Sequence, residues 1–156
     1  MKNDYECCPK FDPENWDNKE IIWDNKLFVT DKIKSIFYVP LNFSKVVKKN
    51  IVLIEKVDAM QKIPIVLSDE DSLWGSNIFI DVTKNIPNAN MTSISGTFLS
   101  KVFEGSYSNT NKWINEMKDY IHSKEKEIQK MYFYYATCPK CAKKYGKNYV
   151  VILAKI

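Results

Sequence analysis

Apolar and polar residues along this chain alternate in two distinct periods. Ile78-Phe79-Ile80-Asp81-Val82 alternates at period two, so Ile78, Ile80 and Val82 share one side of a strand and Phe79 and Asp81 the other. Ile33–Val39 and Met131–Thr137, rich in β-branched and aromatic residues, also read as strands. Tyr149–Leu153 is a near-continuous apolar run suited to the middle of a sheet. Glu20–Trp23 and Lys26–Thr30 are short strand candidates separated by the turn pair Asp24-Asn25. Between these runs the period lengthens. Val46, Val47, Ile51, Leu53, Ile54, Val57 and Met60 recur at three- and four-residue spacing, which predicts a helix capped by Asn42 or Ser44 and closed by Pro64. Trp113, Ile114, Met117, Tyr120 and Ile121 form the stripe of a second helix, capped by Ser108, Asn109 or Thr110.

The order of elements repeats. A strand from Lys34, a helix, and strands at Ile63–Leu67 and Asn77–Val82 are followed by a strand from Thr97, a helix, and strands at Met131–Thr137 and Asn148–Ala154. The expectation is an α+β domain of two strand-helix-strand-strand modules, about 33–83 and 97–155. They form an antiparallel sheet with two helices on one face and a central cleft. Residues 1–32 form an irregular segment with short strands packed on the 33–156 domain. Clefts between structural halves are preferred ligand sites.

Composition narrows the function. The 156 residues carry 45% hydrophobic and 13% aromatic side chains, and only 4 glycines, so no glycine-rich phosphate loop is available. A net charge of +4 from 23 basic and 19 acidic residues is too dispersed for a nucleic-acid surface. Lys45, Lys48, Lys49 and Lys56 read as one solvated helix face. The first residues lack the apolar core of a signal peptide, and no run is long enough for a membrane helix. The expected setting is cytoplasmic, with no nucleic-acid or membrane partner; nothing in the sequence fixes the oligomeric state.

Candidate chemistry gathers at three places. Glu104-Gly105-Ser106-Tyr107 sits between strand and helix, where glycine permits a positive φ. A carboxylate and a phenol there face a ligand, or the segment is a turn followed by core aromatics. Phe37, Trp74, Trp113, Tyr132 and Tyr134 are candidates to line an aromatic pocket for a small aromatic or apolar molecule, with Trp16 and Trp23 over one end. Each of them singly also fits a core position. Cys138 and Cys141, spaced C-x-x-C, suit half of a tetrahedral zinc site that Cys7 and Cys8 would complete. A redox pair and inert thiols are the alternatives. No cofactor is required by the rest of the chain. The single histidine, His122, reads as a surface residue at a helix end.

The turn Gly105-Ser106-Tyr107 between a strand and a helix bearing Trp113 resembles the second half of GyrI-like small-molecule-binding domains, over roughly residues 33–156. The Cys7-Cys8-Pro9-Lys10-Phe11-Asp12-Pro13 run, Ser95-Gly96-Thr97-Phe98, and the run from Cys138 to Tyr149 resemble a Cys-rich branch labelled hydrolase. The resemblance implies a hydrolase of strained or activated xenobiotic-type compounds, with Glu104 handling water and Tyr107 donating to the leaving oxygen. Related proteins open cyclopropane-bearing toxins with water; others only sequester drugs. A ligand-sequestering or sensing module and a zinc- or thiol-dependent regulatory protein are the other readings. Many GyrI-like domains carry a glutamate in the strand where this chain has Tyr132, Phe133, Tyr134 and Tyr135.

Overall fold

A computed structural model of the chain describes residues 11–36, 39–40, 42–69, 75–136 and 146–156; for 35, 36, 39, 40 and 44 it describes the backbone alone. The elements in order are β1 (Lys19–Ile36), β2 (Val39–Pro40), α1 (Phe43–Lys56), β3 (Val66–Asp69), β4 (Gly75–Asp81), β5 (Met91–Glu104), α2 (Thr110–Ser123), β6 (Lys130–Tyr135) and β7 (Tyr149–Lys155). Short 3-10 turns occupy Pro13–Asn15 and Tyr107–Asn109. Two compact units are formed, one of residues 22–97 and one of residues 1–21 with 98–156.

In the 22–97 unit β4 pairs antiparallel with β1 on one side and β3 on the other, Phe28 opposite Asp81 and Leu67 opposite Phe79. The face carrying Val29, Ile33, Ile78, Ile80 and Val82 packs with Ile54 of α1. Alternation along β4 dictates this: even-numbered apolar positions meet the helix, while Phe79 and Asp81 turn the other way. Asn42, at the helix start, makes no side-chain cap; its Oδ1 accepts from Lys34 N–H at 2.9 Å and ties the helix entry to β1.

The other unit repeats this logic with different residues. Strand β7 lies between β5 and β6, all antiparallel. Phe103, Phe133, Val150, Ile152 and Ala154 face Trp113, Met117 and Ile121 of α2. Each such side chain withdrawn from water contributes about 1.5–3 kcal/mol. Among the described residues, no helix is long and apolar enough to cross a membrane.

Two expectations are corrected. The turn at Asp24-Asn25 does not reverse the chain. Asn25 takes a positive φ of 51°, yet the strand continues as one 18-residue β1. Its backbone N–H donates to Ser95 Oγ of β5 at 2.8 Å, so the irregularity is absorbed inside the ladder. The open antiparallel sheet with two helices on one face and a central cleft is also overturned. Among the described residues strand outweighs helix, with two 14-residue helices, and β1 pairs with β5 as well as β4.

Candidate functional site

Strand parity in the 1–21/98–156 unit sorts the candidate residues onto two faces. Register pairs Ser100 with Leu153 and Val102 with Val151 on β5–β7. It pairs Tyr132 with Leu153 and Tyr134 with Val151 on β6–β7. These residues share the face turned away from α2. Glu104 falls on it too, directly opposite Tyr149. Phe103, Phe133 and Tyr135 point the other way, toward α2.

The face away from α2 is aromatic and covered by the segment before β1. Phe11 meets Tyr134 edge-on at 6.1 Å and Tyr149 at 5.3 Å. Trp16 meets Tyr134 at 5.3 Å, and Phe98 meets Tyr132 at 6.1 Å. Polar bonds hold the cover down. Ser100 Oγ donates to the Trp16 carbonyl at 2.5 Å, and Val102 N–H donates to Asp17 Oδ1 at 3.1 Å. Tyr132 and Tyr134 keep only 6% and 7% of their surface, so they form the floor. Phe11, Trp16 and Tyr149 are half-buried and Glu104 is exposed.

The two residues of the expected acid–base pair lie apart. Tyr107 packs edge-to-face on Tyr135 at 5.6 Å, on the α2 side. Trp113 is buried there, stacked on Phe103 at 5.8 Å. The turn between them is clamped. Gly105, at φ 132°, donates its N–H to the Asn148 carbonyl at 3.0 Å and accepts from Asn148 Nδ2 at 2.6 Å. Glu104 and Tyr107 are therefore three residues apart in sequence but directed to opposite faces. Tyr132 and Tyr134 share Glu104's face; Trp113 does not. Phe37, Trp74 and all four cysteines, Cys7, Cys8, Cys138 and Cys141, lie outside the described residues. Among the described residues no group of His, Cys, Asp or Glu is placed to hold a metal ion. His122 is exposed at the end of α2.

Sequence reasoning missed Phe11 and Tyr149. The signal for Tyr149 was its parity with Val151 and Leu153, hidden because the whole run is apolar. Phe11 lies in a proline-bounded segment with no period to read.

The 22–97 unit holds a separate polar node. Asp81 is buried, accepts from Ile65 N–H at 2.6 Å and pairs with Lys26 Nζ at 3.4 Å. Burial pushes its carboxyl above the usual value, against the opposing pull of the Ile65 bond and Lys26. Lys26 in turn lies 5.9 Å over the rings of both Trp23 and Phe28. Asp69, at the end of β3, is buried and accepts from both the backbone N–H (2.6 Å) and the side-chain amide (3.1 Å) of Asn77.

The fold recurs in solved structures. The C-terminal domain of EcmrR is similar, with a TM-score of 0.64 at 12% identity over 88% of this chain and 93% of that one. A hydrolase from Listeria innocua is similar at 0.62 and 12% identity, over 88% and 90%. A second hydrolase from Listeria innocua gives 0.60 at 10% identity, over 90% and 92%. Likeness at these identities shows the fold. Among curated proteins none matches this sequence. The bacterial hydrolase family model matches residues 1–156, and the chain belongs to that family.

Proposed function

We propose that this protein binds a flat, largely apolar small molecule at the Glu104–Tyr149 end of its aromatic face and hydrolyses a strained or activated bond in it. The observation that carries the reading is the register that sets Glu104 opposite Tyr149, with Tyr134 and Phe11 beside them. Aromatic rings bind such a ligand by stacking and by expelling water. Glu104 is the group sited to orient water and accept its proton. One water is consumed. Its oxygen adds to the electrophilic carbon as the strained or activated bond breaks, and a proton passes to the departing atom. The resemblance to GyrI-like domains and membership of the bacterial hydrolase family support hydrolysis. The donor to the departing atom is better sought in Tyr149 than in Tyr107, because Tyr107 packs on the α2 side.

The direct test is turnover of a panel of aryl esters and cyclopropane-containing compounds, with binding measured in parallel. Glu104→Gln is expected to lower turnover about 100-fold or more while leaving affinity within a few fold. Equal turnover in the variant ends the case for Glu104 as base. A second reading, sequestration without turnover, draws support from the separation of Glu104 and Tyr107 onto opposite faces. It is the outcome if ligands bind and none is cleaved.

A further inference from the structure

On the α2 side of the same unit an open groove of about 310 Å³ runs past the helix end. Its floor is apolar, made by Leu99, Tyr120 and Ile156. Its rim is basic. Lys19, Lys124 and Lys126 line it, and Glu20 is the one acidic side chain among the lining residues. Lys101 of β5 stands beside the floor, its Nζ 5.4 Å from the Tyr120 ring centre, while Lys124 Nζ stands 5.7 Å from that ring. Among the described residues, none of these four lysines has a carboxylate within ion-pair distance; the ion pairs there involve Lys26 and Lys49.

The chain holds this arrangement deliberately in place. After α2, Glu125 takes φ 57°, a left-handed value that glycine usually supplies. Glu125 N–H donates to the His122 carbonyl at 2.9 Å and Lys126 N–H to the Ile121 carbonyl at 3.2 Å, which closes the helix and fixes Lys124 and Lys126 at the groove. Complementing the helix dipole accounts for Lys124. It does not account for Lys19 and Lys101, which arrive from β1 and β5.

We infer that this groove is a second ligand site, for a small amphipathic anion: a flat aromatic carboxylate or sulfonate whose ring lies on Tyr120, Leu99 and Ile156 and whose charge meets the lysine rim. The volume falls at the lower end of small-molecule sites, enough for a bicyclic acid. The site faces α2 and is independent of the Glu104 reading. The experiment titrates 2-naphthoate into the full chain and follows backbone amides by two-dimensional NMR, with neutral 2-naphthamide as the matched control. The expected result is saturable shifts at Tyr120, Lys124, Lys126 and Ile156. Naphthoate affinity should fall about tenfold in Lys124→Gln/Lys126→Gln, the sum of two screened ion pairs, with amide dispersion preserved. The amide control should bind more weakly than the acid and show no such loss. Shifts confined to Glu104 and Tyr149, equal binding of acid and amide, or an unchanged affinity in the double variant would each overturn the inference.

Discussion

Asp81 and Asp31 respond to pH with opposite signs, and the difference is decided by what surrounds each carboxyl. Asp81 is buried and its carboxyl is pushed up by loss of water. The folded state therefore binds a proton more readily than the unfolded chain. Its contribution to stability is greatest below the unfolded value of 3.8 and is lost as pH rises through the higher folded value. Asp31 accepts from Asn50 Nδ2 at 2.9 Å and from Lys32 N–H at 2.8 Å, and the Asn50 bond leads in holding its carboxyl down. That stability is present above 3.8 and disappears as pH falls through the lower folded value. Acidification from neutral pH thus first relieves Asp81 and only later costs Asp31. We expect Asp81→Asn to flatten the first part of the profile: urea midpoints at pH 7 and pH 4.5 should converge relative to the parent protein. Parallel profiles would show that Asp81 titrates alike in both states. At Glu125 the strain is in the backbone. Glycine adopts its φ of 57° without a Cβ penalty, so Glu125→Gly should raise stability by up to about 1 kcal/mol in chemical denaturation. A loss instead would mean that the side chain outweighs the conformational gain.

At the scale of elements, the helical stripes were the most legible part of the chain. Trp113, Met117 and Ile121 recur at four-residue spacing and are the buried residues of α2. Met117 is wholly buried, so Met117→Ala should cost about 2–5 kcal/mol, read as a lowered denaturant midpoint at unchanged slope. Parity on β4 was equally readable: the residues read on one side, Ile78, Ile80 and Val82, are those that meet α1's core. Element ends were harder. The periodic run reaching Met60 suggested a longer helix than Phe43–Lys56; Met60 instead bridges to Val82, because a backbone ladder bond beyond the helix end outcompetes continued periodicity. The turn at Gly105 was legible as a turn but not in its direction. An added Cβ there would meet Asn109 Nδ2 at 3.6 Å and Trp113 Cζ2 at 3.9 Å, both ordinary contacts. The cost of Gly105→Ala is therefore conformational, from φ 132°, and should reach about 1 kcal/mol or more. The same change would disturb the Asn148 clamp that aims Glu104 and Tyr107 to opposite faces. Parity could not have separated those two residues, because β5 ends at Glu104 and Tyr107 lies in the turn that follows.

The whole molecule depends on two strands whose full length the sequence concealed. Asp24-Asn25 carries a turn signature, and a chain broken there gives two short strands. Asn25 instead spends its left-handed conformation inside β1, and Ser95 receives the N–H that the irregularity displaces. Nothing in hydrophobic patterning distinguishes a turn from a bulge, because both call for the same residue types. Which strand edges pair is likewise invisible to parity, which sorts side chains by face and not strands by neighbour. Yet β1 and β5 each run without a break from one compact unit into the other, residues 19–36 and 91–104. A strand hydrogen-bonded along its length cannot melt in one half without freeing the backbone groups of the next residues. The two units should therefore unfold as one cooperative block despite having separate cores. Ile54→Ala empties part of the core in residues 22–97, and Met117→Ala part of the core in the other unit. Each is expected to shift one shared calorimetric transition downward, leaving its calorimetric and van't Hoff enthalpies equal. The opposite result is equally plain to read: a second endotherm, moved by one substitution and untouched by the other, would mean that continuity of β1 and β5 does not couple the two cores.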